Sequence, residues 1–174
     1  MSNKNVRKRR VIWLTIFITY ITLLIYFLFF SDTFGRQVAY DEYRYNLMPF
    51  AEIKRFYTKV RDTNYLMFFI NIIGNVVLFV PFGFLFSLIY SKGGLKHLKK
   101  TLWVTLLVSI LLCLLIELLQ LVTKVGVFDV DDIIMNTTGT LIGYIVFRVS
   151  LSFARRRKIK AIRREGYAKT KKPE

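Results

Sequence analysis

The 174-residue sequence has one cysteine, one histidine, three prolines and only 11 acidic residues against 27 basic ones. A single cysteine excludes a disulfide framework within the chain, and Cys113 in an apolar run is typical of a small packing residue. The one histidine, His97, lies in a basic loop, and no serine–histidine or cysteine–histidine pair is evident. The shortage of acids gives a formal net charge of +16. Basic clusters bind nucleic acids but also flank membrane spans, so the position of the basic residues along the chain indicates which partner applies.

The sequence is instead rich in long apolar runs, since 54% of its residues are hydrophobic. Runs of about 20 apolar residues match the roughly 30 Å hydrocarbon core of a bilayer. We predict an all-α integral membrane protein with four transmembrane helices, which cover residues 11–30, 65–90, 101–122 and 132–152. No small-residue cleavage pattern follows the first run, so we interpret it as a retained helix rather than a signal peptide.

The segment between the first two spans, residues 31–64, is polar but contains the stretch YNLMPFAEIKRFY. Pro49 fits the first position of a helix and breaks the structure that precedes it. We predict a short amphipathic helix at about 49–60 that lies in the membrane interface, with a re-entrant loop as the alternative. In the second span, Pro81 predicts a kink that Gly83 eases.

Basic residues flank the predicted spans at alternate ends. The N-terminal tail 1–10, the loop 91–100 and the tail 153–174 carry five, four and ten of them, whereas segments 31–64 and 123–131 carry six and one. Cytoplasmic flanks of membrane proteins are enriched in Lys and Arg. We therefore predict a multi-pass protein of the cell membrane with both termini in the cytoplasm and no nucleic-acid partner. We expect the basic C-terminal tail to be disordered.

Several polar side chains lie inside the predicted spans or at their outer mouth. With a rise of about 1.5 Å per residue, the orientation puts six of them in the outer half of the bilayer: Asn71, Asn75, Glu117, Gln120, Asp132 and Asn136. Polar groups in spans are costly and normally face the bundle interior or a wet cavity. Glu117 is the leading functional candidate, with a structural hydrogen-bond knot as the alternative, and Asn71 or Asn75 is its expected donor.

Three aspartates precede the fourth span. Asp129, Asp131 and Asp132 stand where carboxylates cap a helix N-terminus, and for Asp131 this structural interpretation is preferred. The spacing of Asp129 and Asp132 lets both approach Glu117. We expect no resident cofactor. The alternative is a divalent cation on Asp129 and Asp132, because Mg²⁺ and Ca²⁺ prefer such oxygen ligands.

Four motifs occur in a fixed order between residues 46 and 147: NLMPF, NIIGNVVLFVPFGF, Glu117-x-x-Gln120 and FDVDDIIMNTTGTLIGY. Together they resemble the VanZ-like family of small bacterial membrane proteins, named after a protein associated with teicoplanin resistance in Gram-positive bacteria. The resemblance implies a set of family-pattern positions, which are Asn46, Pro49, Asn71, Asn75, Pro81, Gly83, Glu117, Gln120, Asp129, Asp132, Asn136, Gly139 and Gly143. The pair Gly139 and Gly143 also predicts a close helix contact by its spacing.

One departure from the family pattern bears on the ligand. Many members have an arginine just before the aspartates, whereas residues 124–128 read KVGVF here. Lys124 is the only nearby cation in this loop, which makes a phosphate ligand less favourable.

The pattern leaves three functions open. The preferred one is a non-catalytic envelope protein that affects teicoplanin susceptibility, with an outward polar pocket for a membrane lipid, a lipid-linked cell-wall precursor or the glycopeptide itself. The second is a membrane enzyme acting on a lipid-linked substrate, with Glu117 and Asp132 as catalytic candidates beside Asp129. The third is a proton-coupled transporter or a partner subunit, for which four spans imply a homo-oligomer.

Overall fold

The computed structural model of the chain describes residues 3–30, 41–51, 54, 65–91 and 97–170. These residues form four long helices, α1 (Asn3–Phe30), α2 (Tyr65–Tyr90), α3 (Leu98–Val122) and α4 (Val130–Thr170). They also form two short strands, β1 (Tyr45–Asn46) and β2 (Phe128–Asp129). All four helices are long and apolar enough to cross a membrane. The predicted fold class, an all-α membrane protein with four spans, is confirmed.

The helix α4 is longer than the predicted fourth span. It continues to Thr170 and has 41 residues, so the expectation of a disordered tail is wrong for residues 153–170, and residues 171–174 lie outside the described part of the chain. Residues 153–164 contain no glycine or proline and are mostly Lys, Arg, Ala and Ile, which lets the helix continue. With a rise of 1.5 Å per residue, α4 is about 60 Å long, roughly twice the hydrocarbon thickness of a bilayer.

The helix predicted at about 49–60 lies mostly outside the described residues and stays a prediction. Its first turn is described in part: Ala51 and Lys54 are helical, and the Lys54 N–H donates to the Phe50 carbonyl at 2.9 Å. Pro49 lies in the turn that precedes this helical segment.

Hydrogen bonds between helices show which ends lie together. The Tyr144 hydroxyl donates to the Leu98 carbonyl at 2.9 Å, so the middle of α4 lies beside the start of α3. Gln120 Nε2 donates to the Leu28 carbonyl at 3.1 Å, so the ends of α3 and α1 are neighbours. We call this second end, where α4 also begins, the cluster end, because the acidic residues Glu117, Asp129, Asp131 and Asp132 lie there. The opposite end, with basic residues at 7–10, 99–100 and 155–160, is the basic end.

The helices α2 and α4 touch through their backbones. A Cβ atom added to Gly139 would lie 2.1 Å from the carbonyl oxygen of Val76, and one on Gly143 would lie 2.1 Å from that of Val80. No side chain fits at such a distance. The two glycines therefore form the close helix contact that their spacing predicts.

Gly83 belongs to the same contact. A Cβ atom there would lie 2.0 Å from the Thr140 carbonyl oxygen of α4. The sequence predicts that Gly83 eases a kink at Pro81, which stays a prediction, and the structure adds a packing role for this glycine. The helix α2 continues through Pro81 from Tyr65 to Tyr90.

Small or polar residues line the face of α3 that points into the bundle. Every fourth residue from Thr101 to Glu117 is buried, and these residues are Thr101, Thr105, Ser109, Cys113 and Glu117. The Thr105 hydroxyl hydrogen bonds with Ser87 of α2 at 3.1 Å, and Ser109 hydrogen bonds with Thr140 of α4 at 2.6 Å. Such hydroxyl pairs join helices in a lipid environment, where apolar burial alone gives little driving force.

An apolar cluster completes the core on the side of α1. It consists of Leu24, Leu28, Phe79, Phe82, Cys113 and Ile116. The rings of Phe82 and Phe86 stack with centroids 5.6 Å apart. Cys113 is a buried free thiol in this cluster, as its sequence position predicts.

Candidate functional site

The connection between α3 and α4 reverses the chain within seven residues. Lys124 has φ 56°, the left-handed conformation that commonly ends a helix, and its N–H donates to the Leu121 carbonyl at 3.1 Å. The strand β2 then pairs in parallel with β1, which places Asn46 opposite Asp129. This short bridge fixes the loop of residues 41–51 against the start of α4.

Asp129 is the centre of the site. Its backbone N–H donates to Glu117 Oε2 at 2.9 Å, and its carboxylate accepts the Asn46 amide at 3.0 and 3.2 Å. The same carboxylate accepts the Asp131 N–H at 2.8 Å, which makes Asp129 the N-cap of α4. Only 9% of Asp129 and 2% of Glu117 are exposed. Asp129 therefore joins three parts of the site: its side chain contacts the loop 41–51 and the start of α4, and its backbone N–H contacts the end of α3.

Asp131 fixes the same loop at a second point. Its carboxylate accepts the N–H of Phe50, a residue with φ 62°. The left-handed conformation costs a non-glycine residue about 1–2 kcal/mol, so this contact maintains a strained turn. Sequence reasoning assigns Asp131 to helix capping alone. No spacing between positions 50 and 131 could have revealed the contact.

Asp132 connects the site to α2. Asn75 Nδ2 donates to Asp132 Oδ1 at 2.5 Å. The sequence offers Asn71 or Asn75 as the donor to Glu117. The structure shows the Asn75 amide donating to Asp132 and the backbone N–H of Asp129 donating to Glu117. Asp132 is half-buried, whereas Asp129, Asp131 and Glu117 are buried. It is therefore the most accessible carboxylate among these four.

The remaining predicted residues take different positions. Gln120 donates to Leu28 of α1 and lies against Gly126, where an added Cβ would be 3.1 Å from Gln120 Cβ. Asn136 is 2% exposed, and its Oδ1 has no hydrogen-bond partner among the residues that the structure describes. Asn71 lies on α2, and its side chain is outside the described part of the chain.

Lys124 does not take the place of the family's arginine beside the carboxylates. Its Nζ donates to the Asp41 carbonyl at 2.8 Å and lies 5.1 Å from the centre of the Tyr43 ring. Both partners belong to the loop 41–51. The only basic residue of segment 123–131 therefore stabilises that loop.

The predicted divalent cation remains a prediction. Within the described ranges, no group of three or more His, Cys, Asp or Glu side chains is arranged to hold a metal ion. The carboxylate oxygens of Asp129 accept protein donors, and Oδ1 of Asp132 accepts Asn75.

Four apolar helices with a buried network of carboxylates and amides define a small multi-pass membrane protein with a polar site at one end of its helices. Residues 17–152 match the family model described as VanZ/LLP1, so this chain belongs to the VanZ family. It is similar to a curated relative, Protein VanZ of Enterococcus faecium, at 30% identity over 91 residues. That match covers 52% of this chain and 52% of the relative, about half of each. No solved structure matches the chain.

Proposed function

We propose that this protein lowers the susceptibility of a bacterial cell to teicoplanin by binding a membrane lipid or a lipid-linked cell-wall precursor at the cluster end. Membership of the VanZ family supports the biological setting. The observation that carries the proposal is the position of Asp132, a half-buried carboxylate held at 2.5 Å by Asn75 beside the buried Asp129 network. Asp132 is thus fixed in place and still accessible.

The chemistry of the site favours ligand groups that donate hydrogen bonds. Asp132 supplies the accessible acceptor oxygens, the carboxylates of Glu117, Asp129 and Asp131 lie buried at the same end, and Lys124 is engaged by the loop 41–51. Hydroxyl, amide and amine groups, such as those of a sugar or a peptide, form strong hydrogen bonds with carboxylates. A bare phosphate is repelled by them. We therefore propose that the sugar or peptide part of a lipid-linked precursor, rather than its phosphates, contacts Asp132.

A binding role fits the site better than an enzymatic one. A general acid or base must come within hydrogen-bond reach of its substrate. Glu117 is 2% exposed and accepts the backbone N–H of Asp129, which is a structural contact. Asp132 is more accessible, and its contact with Asn75 joins it to an amide, which is not a nucleophile that a general base activates.

The function test uses Asp132→Asn, which removes the charge and keeps the shape. We expect the wild-type chain to raise the teicoplanin minimum inhibitory concentration of a sensitive Gram-positive host, and Asp132→Asn to return it to the empty-vector value. Glu42→Gln, an equal change of charge on the exposed loop 41–51, is the matched control and should protect like wild type. Membrane levels are equalised by immunoblot. No protection by the wild type, or full protection by Asp132→Asn, would contradict the proposal.

The proposal also requires the cluster end to face the outside of the cell, which the basic residues at the opposite end support. In a Cys113→Ser background, Thr123→Cys at the cluster end should react with a membrane-impermeant maleimide on intact cells. Lys160→Cys at the basic end should react only after permeabilisation. Both positions are exposed, so the comparison reports topology rather than burial. The reverse labelling pattern would overturn the orientation.

A further inference from the structure

The loop that covers the site presents an apolar surface. Residues 45–51 read YNLMPFA and form an uncharged segment between Arg44 and Glu52. The large apolar and aromatic side chains of the loop are between 57% and 73% exposed, and they are Tyr43, Tyr45, Leu47, Met48 and Phe50. Contiguous exposed apolar side chains on a folded protein mark a surface that contacts something. We call these five residues the apolar loop patch.

The contacts of the polar site hold this patch outward. Asn46 turns inward to donate to Asp129, while its own Oδ1 accepts the Met48 N–H at 3.3 Å. Phe50 is fixed in its left-handed conformation by Asp131. The segment 45–51 is therefore held at Asn46 and at Phe50, with the Asn46 amide turned inward and the apolar side chains exposed. A loop that had only to cover the carboxylates would not need this arrangement.

The exposed surface of α3 next to the patch indicates which environment the patch contacts. The last turns of this helix expose Leu118, Leu119 and Val122, which continue the lipid-facing surface of the span to the cluster end. The bridge between β1 and β2 places the loop beside this same end. Tyrosine and other aromatic residues concentrate at the level of the lipid headgroups. The apolar loop patch is uncharged and adjoins a lipid-facing surface. We therefore expect its aromatic and aliphatic side chains to contact the interface of the bilayer.

We propose that the apolar loop patch inserts into the lipid leaflet at the cluster end and anchors the site at the boundary between headgroups and acyl chains. Met48 and Phe50 enter the leaflet, while Asn46 remains on the protein side and holds Asp129. Asp132 then lies at headgroup depth, where it is reached from within the membrane plane. This anchoring does not depend on the proposed effect on teicoplanin.

Depth-dependent fluorescence quenching tests the insertion on the full chain in phosphatidylglycerol–phosphatidylcholine vesicles. Trp13 and Trp103 are replaced by phenylalanine, and Met48→Trp supplies the single tryptophan. We expect brominated acyl chains to quench it strongly and aqueous acrylamide to quench it weakly. Glu42→Trp on the same loop, outside the uncharged segment, is the matched control and should show the opposite preference.

The result is read only for proteins that retain the thermal unfolding midpoint of the tryptophan-free parent. Phe50→Trp provides a second probe if Met48→Trp does not fold. Strong acrylamide quenching at both probes, equal to that of Glu42→Trp, would overturn the insertion. Protection from both quenchers, together with disulfide cross-linking of Met48→Cys between two copies in a Cys113→Ser background, would assign the patch to a dimer interface and also overturn it.

Discussion

Replacing Asp129 with alanine is expected to lower the free energy of unfolding by about 3–6 kcal/mol, since it removes an acceptor from two donors and each hydrogen bond to a charged group contributes about 1.5–3 kcal/mol. The two donors are the Asn46 amide and the Asp131 N–H. The loss also removes the N-cap of α4 and releases the loop 41–51. Thermal or denaturant unfolding in detergent micelles measures the change.

Asp129→Asn separates the roles of Asp129. Asparagine caps a helix about as well as aspartate, so most of the N-cap contribution should remain. The charge-assisted part of the contact with Asn46 should be lost, which gives a smaller decrease of about 1–2 kcal/mol. Glu42→Ala is the control for removing an exposed acid from the same loop, and we expect no measurable change in stability. If the free energy of unfolding of the Asp129→Ala variant equals that of the Glu42→Ala variant, the hydrogen bonds of Asp129 do not hold the site together.

Substituting Gly139 is the second change with a large expected effect. The added methyl group of Gly139→Ala meets the Val76 carbonyl oxygen at 2.1 Å, and a backbone atom cannot move aside as a side chain can. Helices α2 and α4 must separate, which we expect to destabilise the protein by about 3 kcal/mol, at the upper end of typical overpacking costs. Because Asn75 precedes Val76 in α2, the separation should also weaken the hydrogen bond from Asn75 to Asp132. Gly139→Ala should therefore reduce teicoplanin protection as well as stability.

Gly126→Ala is the matched control for this change. An added Cβ at Gly126 meets the side chain of Gln120 at 3.1 Å rather than a backbone atom. The side chain of Gln120 must shift by only a few tenths of an ångström, so we expect the unfolding midpoint to fall less than in Gly139→Ala. Equal effects of Gly126→Ala and Gly139→Ala would contradict the backbone contact between α2 and α4.

The positions of the four helices could be predicted from the sequence because the length of an apolar run is a direct measure of bilayer thickness. Counting residues from the helix ends also places Asn75, Glu117 and Asp132 in the same half of the predicted spans. Depth along an axis says nothing about rotation around it, however. The choice of Asp132 rather than Glu117 as the partner of Asn75 depends on how α2 and α4 turn towards each other, and the contact at Gly139 fixes that rotation.

The loop contacts had no local signal in the sequence. The bridge between β1 and β2 contains two residues on each side, too few for an alternating pattern. The contact between Asp131 and Phe50 joins positions 81 residues apart through a left-handed turn. The extension of α4 was missed for another reason. A high density of basic residues suggests a solvated tail, but Lys and Arg are also good helix formers when no glycine or proline intervenes.

An exchange of Asn75 and Asp132 tests the central claim most directly. The double variant Asn75→Asp/Asp132→Asn retains one amide and one carboxylate and can restore their hydrogen bond, but it moves the charge from the half-buried position 132 to position 75, which is 3% exposed. The measurement is the teicoplanin minimum inhibitory concentration at matched membrane levels, alongside the unfolding midpoint. We predict a folded protein, more stable than the Asp132→Asn single variant, that gives no protection. Protection equal to wild type would show that the pair is a structural contact and that an accessible carboxylate at position 132 is not the functional group.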